Sequence, residues 1–398
     1  MTEKPESHSD QPSQQSHPSQ PSQPSHADQP FRAGDLGKKV IYGDDKAFQA
    51  ELRKRVDEYF RSAGYRPHDN WQMYLKIAIV LIGFVAAYVL LVFFAQNIWH
   101  GLALALLLAA FMTEIGFNIQ HDGGHKAVSK HPWVNKVMGM TLDMVGASSY
   151  LWRRKHVVIH HTYVNITGYD TDIEFGLLGR MSPHAPWRPW FRFQHIYMWL
   201  LYSLLAIKWH FYDDFHDVIA GRIGSHQIAR PRRSELAIFL GGKIFFFAWA
   251  FAIPLLFHPL HVVLLFYVIV AMPSGLMLAL VFQIAHCVEE SEFVAPPKGD
   301  EHVVDSWAAH QAQVTVNFSR RNPVWTWLVG GLNYHIEHHL FPLICHVNYP
   351  AISKIIEATC RDFGVRYSEH KSFAAGVASH YRWVRRMAMP NPEPSAQS

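Results

Sequence analysis

Four long apolar runs divide the chain, and polar segments separate them. The runs cover roughly residues 71–94, 98–117, 236–257 and 262–285. A helix needs about 20 mostly apolar residues to cross the hydrocarbon core of a bilayer. The short links "AQNIWHG" and "HPLH" join the runs into two pairs. The pattern therefore predicts four membrane-spanning helices arranged as two hairpins, whereas a buried core helix of a soluble protein would explain only one such run.

The polar segments between and beyond these runs predict the rest of the fold, which is an all-α membrane protein with a cytoplasmic helical cap that carries the histidine clusters. Residues 1–30 are rich in Ser, Gln, Pro and His, which predicts a disordered tail. Residues 31–70 form a cytoplasmic N-terminal segment, residues 71–370 a single membrane domain, and residues 371–398 a C-terminal tail. Residues 195–212 are aromatic-rich but short for a span, so we interpret them as an interfacial helix, with a fifth span as the alternative.

Lys and Arg are distributed unequally between the two sides of this topology. Neither hairpin link contains one, whereas the segment 120–235 contains "WRRK" and "RPRR" and residues 31–66 add "GKK" and "ELRKR". By the positive-inside rule, the hairpin tips are outside, and both termini and the middle segment are cytoplasmic. A net charge of +4 then reflects a basic face toward anionic lipid, and no nucleic-acid partner is needed. We interpret "WRRK" as a membrane anchor, although it could instead steer an acidic headgroup or carrier.

Three histidine clusters mark the chemistry of the chain. They are "HDGGH", "HVVIHH" and "HIEHH". Residues three and four apart lie on one face of a helix, and neutral imidazole is the commonest protein metal ligand. All three clusters fall on the cytoplasmic side of the predicted topology, which predicts a metal centre there. The clustered histidines are His121, His125, His156, His160, His161, His335, His338 and His339.

Eight nitrogen ligands are more than one four-coordinate metal can use. The three cysteines are too few and wrongly spaced for a disulfide framework or a zinc knuckle. A zinc hydrolase would more typically combine histidine with a carboxylate and an open water position. A metal transporter would need polar residues along its spans, which are mostly apolar here. A receptor-like protein with structural zinc remains an alternative, but the pattern favours two irons that activate oxygen on a lipid chain.

The order HxxxH, HxxxHH, HxxHH, with two spans between the second and third clusters, resembles the membrane-bound fatty acyl desaturases over roughly residues 70–370. "HHTYVNITGYDTDIE" and "GGLNYHIEHHLFP" are similar to that family's regions around its second and third clusters. The latter is closest to the front-end branch, which desaturates between an existing double bond and the carboxyl end. The resemblance implies that two irons and O₂ convert adjacent methylenes of a lipid-linked or CoA-linked acyl chain into a cis double bond. A hydroxylase or ketolase on the same scaffold is the alternative.

The resemblance also implies partners and a location. Family members receive electrons one at a time from a small redox carrier. No His-Pro-Gly-Gly motif of a fused cytochrome b5 is present in the sequence. We therefore expect a separate donor, either ferredoxin or cytochrome b5 with its reductase. A bacterial inner membrane is favoured over the endoplasmic reticulum, and the active site is expected to face the cytoplasm.

The family's ligand pattern maps onto this chain residue by residue. The eight clustered histidines would be iron ligands, and His286, at the end of the fourth span, would be a ninth. His335 stands where the front-end pattern commonly has Gln, and we predict that it is nevertheless a direct ligand. Gln283 could hold a bridging water, and Glu114 needs a hydrogen-bond partner within its apolar span. Candidates to orient the imidazoles by accepting their second N–H are Asp122, Asn165, Asp170, Asp172, Glu174 and Glu337.

Overall fold

The computed structural model describes residues 40–43, 46–296, 302–304 and 306–391. Within this part of the chain, helices dominate and the strands form short pairs, which confirms the all-α membrane class. The parallel pairs are Ile41–Tyr42 with His302–Val304 and Val316–Phe318 with Ser368–His370, and the antiparallel pair is Arg222–Ile223 with His226–Gln227. The tail predicted over residues 1–30 lies outside the described residues.

The α-helices, in chain order, are Ala47–Ala63, Trp71–Phe94, Ile98–Glu114, His121–Gly124, Pro132–Gly139, Thr141–Met144, Ser149–Trp152, His161–Tyr163, Gln194–Ser203, Leu205–Lys208, Asp214–Ala220, Arg233–Phe247, Ile253–Leu255, Leu260–His286, Trp307–Gln313, Pro323–Leu328, His335–Leu340, Tyr349–Asp362 and Phe373–Met387. The π-helical segments are Ile115–Gln120, Arg153–His160, Trp209–Asp213 and Ala248–Ala252. The 3₁₀ turns are Pro189–Phe193 and His346–Asn348.

Four continuous helices are long and apolar enough to cross a membrane. They are Trp71–Phe94, Ile98–Gly124, Arg233–Leu255 and Leu260–His286, called here the first to fourth spans. The second span packs against both the first and the fourth. The second span is longer than the predicted run because a π-helical segment carries it past residue 117 to the first histidine cluster. By length and composition, the described residues therefore provide the four candidate membrane-spanning helices that the predicted fold class requires.

The aromatic segment 195–212 forms two short helices followed by a π-helical turn, and it is not among the candidate spans of the described residues. Both helices, Gln194–Ser203 and Leu205–Lys208, pack along the fourth span. Met198 and Tyr202 are buried on this face, while Ile196 and Leu200 are exposed on the other. An apolar exposed face of this kind is consistent with a helix that lies against lipid.

A helical cap encloses the third histidine cluster. Helix Tyr349–Asp362 packs against Ala47–Ala63 from the N-terminal segment and against helix His335–Leu340. Leu52, Val56 and Ile352 are all at most 1% exposed in this small core. The cap therefore encloses the helix that carries "HIEHH".

The segment expected only as a C-terminal tail contains a packed helix, Phe373–Met387. This helix lies against the fourth span, and the indole of Trp383 donates a 2.8 Å hydrogen bond to the carbonyl of Met181. Its buried face combines Gly376, Ser379 and His380 with Trp383, Val384 and Met387.

Candidate metal centre

The three histidine clusters and His286 meet at one end of the spans. His121 lies near the end of the second span, and His286 is the last residue of the fourth. His156 and His160 of the second cluster lie within the π-helical segment Arg153–His160, His161 follows it directly, and the third cluster occupies helix His335–Leu340. All nine imidazoles are buried, with no residue more than 7% exposed.

The imidazoles form two neighbouring groups. In the first, the ligand nitrogens of His121, His125, His156 and His338 all lie within 4.8 Å of one another. In the second group, the ligand nitrogens of His160, His286 and His339 also lie within 4.8 Å of one another.

His335 and His161 complete this arrangement. The Nε2 atom of His335 lies 2.8 Å from the Nε2 atom of His286, which places His335 in the second group. The His161 ring centroid is 4.6 Å from that of His125 and 4.3 Å from that of His339, so His161 lies between the groups. The nine imidazoles therefore lie in two neighbouring groups, with His161 between them.

Local sequence explains how the first cluster approaches the others so closely. The π-helical segment Ile115–Gln120 changes the helical register just before His121, as π turns often do at functional sites. At Gly123, an added Cβ would lie 2.5 Å from the backbone nitrogen of Gly139. At Gly124, it would lie 2.3 Å from the ring of Trp152. "HDGGH" therefore needs its two glycines for this close packing.

The buried nitrogens fit a metal centre. Most of the nine imidazoles carry at least one buried nitrogen that has no hydrogen-bond partner among the described residues. Leaving such a group unpaired costs about 1–3 kcal/mol. Burial also lowers the pKa of His125, His161 and His338 well below the ordinary value, so these rings are neutral and present lone pairs. An all-imidazole donor set suits iron or zinc. The atoms concerned are Nε2 of His125, His156, His160, His338 and His339, both nitrogens of His161, and Nδ1 of His286.

Two acceptors fix the tautomers of the second group. The Nδ1 atom of His160 donates to the carboxylate of Asp170 at 3.1 Å. The Nδ1 atom of His339 donates to the Oε1 atom of Gln311 at 2.8 Å. The amide nitrogen of Gln311 in turn donates to the carbonyl of His161 at 3.2 Å, which fixes the orientation of this amide. With Nδ1 protonated, each ring presents the lone pair of its unpaired Nε2 to the centre.

His335 is oriented in the same way by a backbone group. Its Nδ1 atom donates to the carbonyl of Leu332 at 3.0 Å. A carbonyl can only accept, so Nδ1 carries the proton and Nε2 presents a lone pair toward His286. A direct ligand role for His335 stays a prediction, and this orientation leaves its Nε2 lone pair free for that role.

Two carboxylates adjust the charge around the second cluster. Asp172 lies 3.9 Å from the Nδ1 atom of His156 and 3.0 Å from the ammonium of Lys155. Burial opposes ionisation of Asp172, but Lys155 and His156 outweigh it and lower its pKa. Burial lowers the pKa of His156 to about 3. For His160, burial also acts against the charged form, yet Asp170 outweighs it and raises the pKa.

The other predicted orienting residues take different positions. Asn165 donates to the carbonyl of His286 at 3.1 Å, so it holds the end of the fourth span rather than an imidazole. Glu337 accepts from Asn317 at 2.9 Å and from the Tyr367 hydroxyl, which ties the third-cluster helix to a neighbouring strand. Glu174 has no hydrogen bond to an imidazole among the described residues. It lines the mouth of a cavity instead.

Asp122 belongs to a buried polar chain. It lies 3.9 Å from the Nδ1 atom of His121 but accepts from the Nδ1 atom of His346 at 2.9 Å. The Nε2 atom of His346 lies 3.2 Å from the ammonium of Lys76 in the first span. Glu114 finds its expected partner in Asn118, which donates to its carboxylate. The chain thus links the first span to the first histidine group.

Sequence reasoning missed Gln311, His346 and Lys76. Gln311 is 28 residues from His339, and Lys76 is 270 residues from His346. No local spacing links such pairs. Of the three, only Lys76 could have been noticed in the sequence, because a charged side chain inside the otherwise apolar first span requires a buried partner.

Replacing Asp170 with Asn is expected to lower metal retention and activity by about 10- to 100-fold, the usual cost of losing a partner that orients a ligand. The amide oxygen would still accept from His160, but the negative charge would be lost. Metal content and turnover of the purified variant test this. Asp362→Asn, which neutralises an exposed partner of Arg55, is the control and should behave like the parent chain. Full metal retention in Asp170→Asn would contradict the assigned role.

A largely apolar channel of about 400 Å³ passes the histidines. His121, His156 and His335 form part of its wall, and the unpaired Oε1 atom of Gln283 also lies there. Its polar mouth adjoins a second pocket of about 200 Å³ that shares several of the same residues. The shared charged residues of the mouth are Lys155, Glu174, Lys208 and Asp213.

Comparison with known proteins gives a consistent result. A family model described as fatty acid desaturase matches residues 97–371. The chain is 39% identical to an sn-1 linoleoyl-lipid 6-desaturase of Arthrospira platensis, over 90% of this chain and 97% of that protein. It is 38% identical to a protein of the same name from Synechocystis, over 88% and 98%. It is 37% identical to an acyl-lipid (8-3)-desaturase of Physcomitrium patens, over 87% and 72%.

Proposed function

Because this chain belongs to the fatty acid desaturase family, we propose that it introduces a cis double bond into a lipid-linked acyl chain, using two irons held by the nine imidazoles. The main support for this proposal is that nine buried imidazoles, most with an unpaired nitrogen, converge at the wall of an apolar channel. When bound, the two irons supply the oxygen chemistry that removes two hydrogens. The overall reaction takes an acyl chain, O₂, two electrons and two protons to the unsaturated chain and two waters.

The protein's own residues bind and orient the substrate. The apolar walls exclude water and hold a run of methylenes beside His121, His156 and His335. Asp170, Gln311 and the Leu332 carbonyl keep three Nε2 lone pairs aimed at the centre. Such preorganisation means that the ligands do not need to rearrange when oxygen and substrate are bound.

Charges at the channel mouth favour a glycerolipid over acyl-CoA. Lys155 is paired with Asp172 at 3.0 Å, and Lys208 is paired with Asp213 at 3.3 Å. Glu174 and Asp217 add further carboxyl groups around the same pocket, whereas Asp214 is paired with Lys243 at 2.8 Å. The phosphates of CoA would meet two lysines that are already neutralised and a surplus of acidic groups. The names of the relatives, linoleoyl-lipid and acyl-lipid desaturases, support the same choice.

The mouth also lies close to the metal ligands. Asp172 contacts Lys155 at the mouth and lies 3.9 Å from the Nδ1 atom of His156. A headgroup held there leaves little room for methylenes between the carboxyl carbon and the histidines. This geometry supports front-end desaturation, in which the new double bond lies on the carboxyl side of an existing one.

We place the active site on the cytoplasmic side of a bacterial inner membrane. The charge distribution described above and the two cyanobacterial relatives support this location. The electron donor is then a separate cytoplasmic carrier, either ferredoxin or cytochrome b5 with its reductase.

Purified protein given acyl lipid, O₂ and NAD(P)H, but no carrier, is expected to form no product. The three cysteines are buried and free, and three thiolates do not complete the four-cysteine ligation of a typical iron–sulfur cluster. Addition of ferredoxin and its reductase, or of cytochrome b5 and its reductase, should start turnover. Turnover without any carrier would reveal a redox centre in the chain itself.

Fatty-acid profiling of a host that expresses the chain tests the proposed function. Gas chromatography of derivatised methyl esters locates a new double bond or a new hydroxyl group. We expect a double bond on the carboxyl side of an existing one, in glycerolipid-linked chains. A hydroxylated product would instead support the alternative di-iron hydroxylase, and no new product in a host that supplies iron and a carrier would refute both.

A further inference from the structure

A groove of about 420 Å³ lies beside the first span, and it is separate from the channel. Among the described residues, the groove and the channel have no lining residue in common. Trp71, which begins the first span, and Trp327 both line the groove and are exposed. Exposed indoles of this kind mark the level of the lipid headgroups. The groove therefore opens at the membrane interface, at the end of the spans that also carries His121.

The ammonium of Lys76 lines this groove without a carboxylate partner. Lys76 is only 5% exposed, and it forms no ion pair within the part of the chain that the structure describes. Because the Nδ1 atom of His346 donates to Asp122, its Nε2 atom accepts one N–H of Lys76 at 3.2 Å. Glu114 acts on Lys76 only at longer range, since its carboxylate is hydrogen-bonded to Asn118. Lys76 thus keeps N–H groups for a further acceptor.

The charge of the groove is positive. Its lining contains three basic side chains and, among the described residues, no carboxylate. Arg320 is paired with Glu357 at 3.0 Å and with Glu369, yet its buried Nε atom has no hydrogen-bond partner among those residues. Arg321 is exposed and forms no ion pair with any of them. With Lys76 and Arg321 not neutralised, the groove is complementary to an anion.

The apolar part of the groove suits an acyl tail. Trp71, Leu75 and Ile79 line it, and all three are exposed. Their spacing of four residues places them in one stripe along the first span. A soluble phosphate would leave this stripe uncovered, whereas a phospholipid provides both a phosphate for the basic side chains and a tail for the stripe.

We propose that this groove binds an anionic phospholipid, with its phosphate at Lys76 and Arg321 and one acyl tail along the first span. Basic side chains near the cytoplasmic surface attract the anionic headgroups of that leaflet. This lipid is not the substrate, because the groove and the channel are lined by different residues. Its phosphate accepts the remaining N–H groups of Lys76 and so stabilises the polar chain through His346 and Asp122 toward the first histidine group.

Lipid retention by the purified full-length protein tests this proposal. The protein is equilibrated with equal amounts of phosphatidylglycerol and phosphatidylcholine that carry identical tails, and mass spectrometry measures the ratio of the retained lipids. In a second measurement, phosphatidylglycerol with a photoreactive tail is cross-linked and the labelled peptide is identified. We expect the parent protein to be enriched in phosphatidylglycerol and to be labelled within residues 71–79.

Two variants each remove one charge from the groove, namely Lys76→Gln and Arg321→Gln. One basic side chain near an anionic surface typically changes lipid affinity by about fivefold, so both the retained ratio and the labelling should fall by about that factor. Arg361→Gln is the matched control, because Arg361 is likewise exposed and without an ion pair among the described residues but lies outside the groove. The exposed position of Arg321 keeps the test informative if Lys76→Gln does not fold.

Three results would overturn the proposal. The first is equal retention of the two lipids by the parent protein, and the second is an Arg321→Gln variant that retains and cross-links phosphatidylglycerol like the parent. The third is displacement of the lipid by inorganic phosphate at constant ionic strength, which would show that the ligand is a soluble phosphate. None of these measurements requires turnover, so they test the groove independently of the proposed desaturation.

Discussion

Replacing His338 with alanine is expected to abolish desaturation and to release metal from the centre. The His338 side chain belongs to the first group, with His121, His125 and His156. Its ligand atom also lies within 4.8 Å of ligand atoms of His161 and His339. It therefore lies between the first group and the rings of His161 and His339. Loss of a partner that only orients a ligand costs about 10- to 100-fold, so loss of a ligand itself should cost more than about 100-fold.

Metal content and turnover of purified His338→Ala protein test this expectation. His380→Ala is the matched control, because His380 is equally buried but its nitrogens pair with the Tyr202 hydroxyl at 2.9 Å and the Cys287 carbonyl at 2.7 Å. The control should lose stability yet keep its metal. A folded His338→Ala variant with full metal content and normal turnover would show that His338 is not a ligand.

The second large effect concerns His335, where two substitutions should give different results. His335→Gln is expected to keep measurable activity with weaker metal retention, and His335→Ala to lose nearly all activity. The glutamine side chain can offer its carbonyl oxygen where imidazole offers nitrogen, although nitrogen is the stronger donor for iron. Alanine offers no donor beside the Nε2 atom of His286, which lies 2.8 Å away in the parent chain.

His338→Gln and His339→Gln provide the comparison for His335. We expect both to fail like the alanine variants, because the family pattern has no glutamine at either position. Activity and metal content should be measured together for all four variants and the parent. If His335→Ala and His335→Gln both retained near-normal activity and full metal loading, His335 would merely pack beside the centre.

The four candidate spans and the grouping of the clustered histidines could be predicted because their signals are local. A membrane span requires a continuous apolar run, and a helical metal site requires donors three or four residues apart. His121 and His125 show such spacing, and the structure places them 4.8 Å apart between ring centroids. Local patterns of this kind do not depend on how distant segments fold together.

Other features depend on contacts between distant segments and could not be read from the sequence. Glu337 lies within the third cluster, yet it faces Asn317 and Tyr367 instead of the metal site. Gln311, in a segment without a recognisable motif, orients His339. A residue's position near a motif is therefore a weaker guide to its role than its hydrogen bonds.

The most direct test of the central claim is the metal content of active protein purified from iron-replete cells. We predict about two irons per chain, in proportion to activity, because the donors divide into two groups of imidazoles. Zinc in an inactive preparation would not bear on the claim, since imidazole binds both metals. Fully active protein with a single metal ion per chain, or with none, would contradict it.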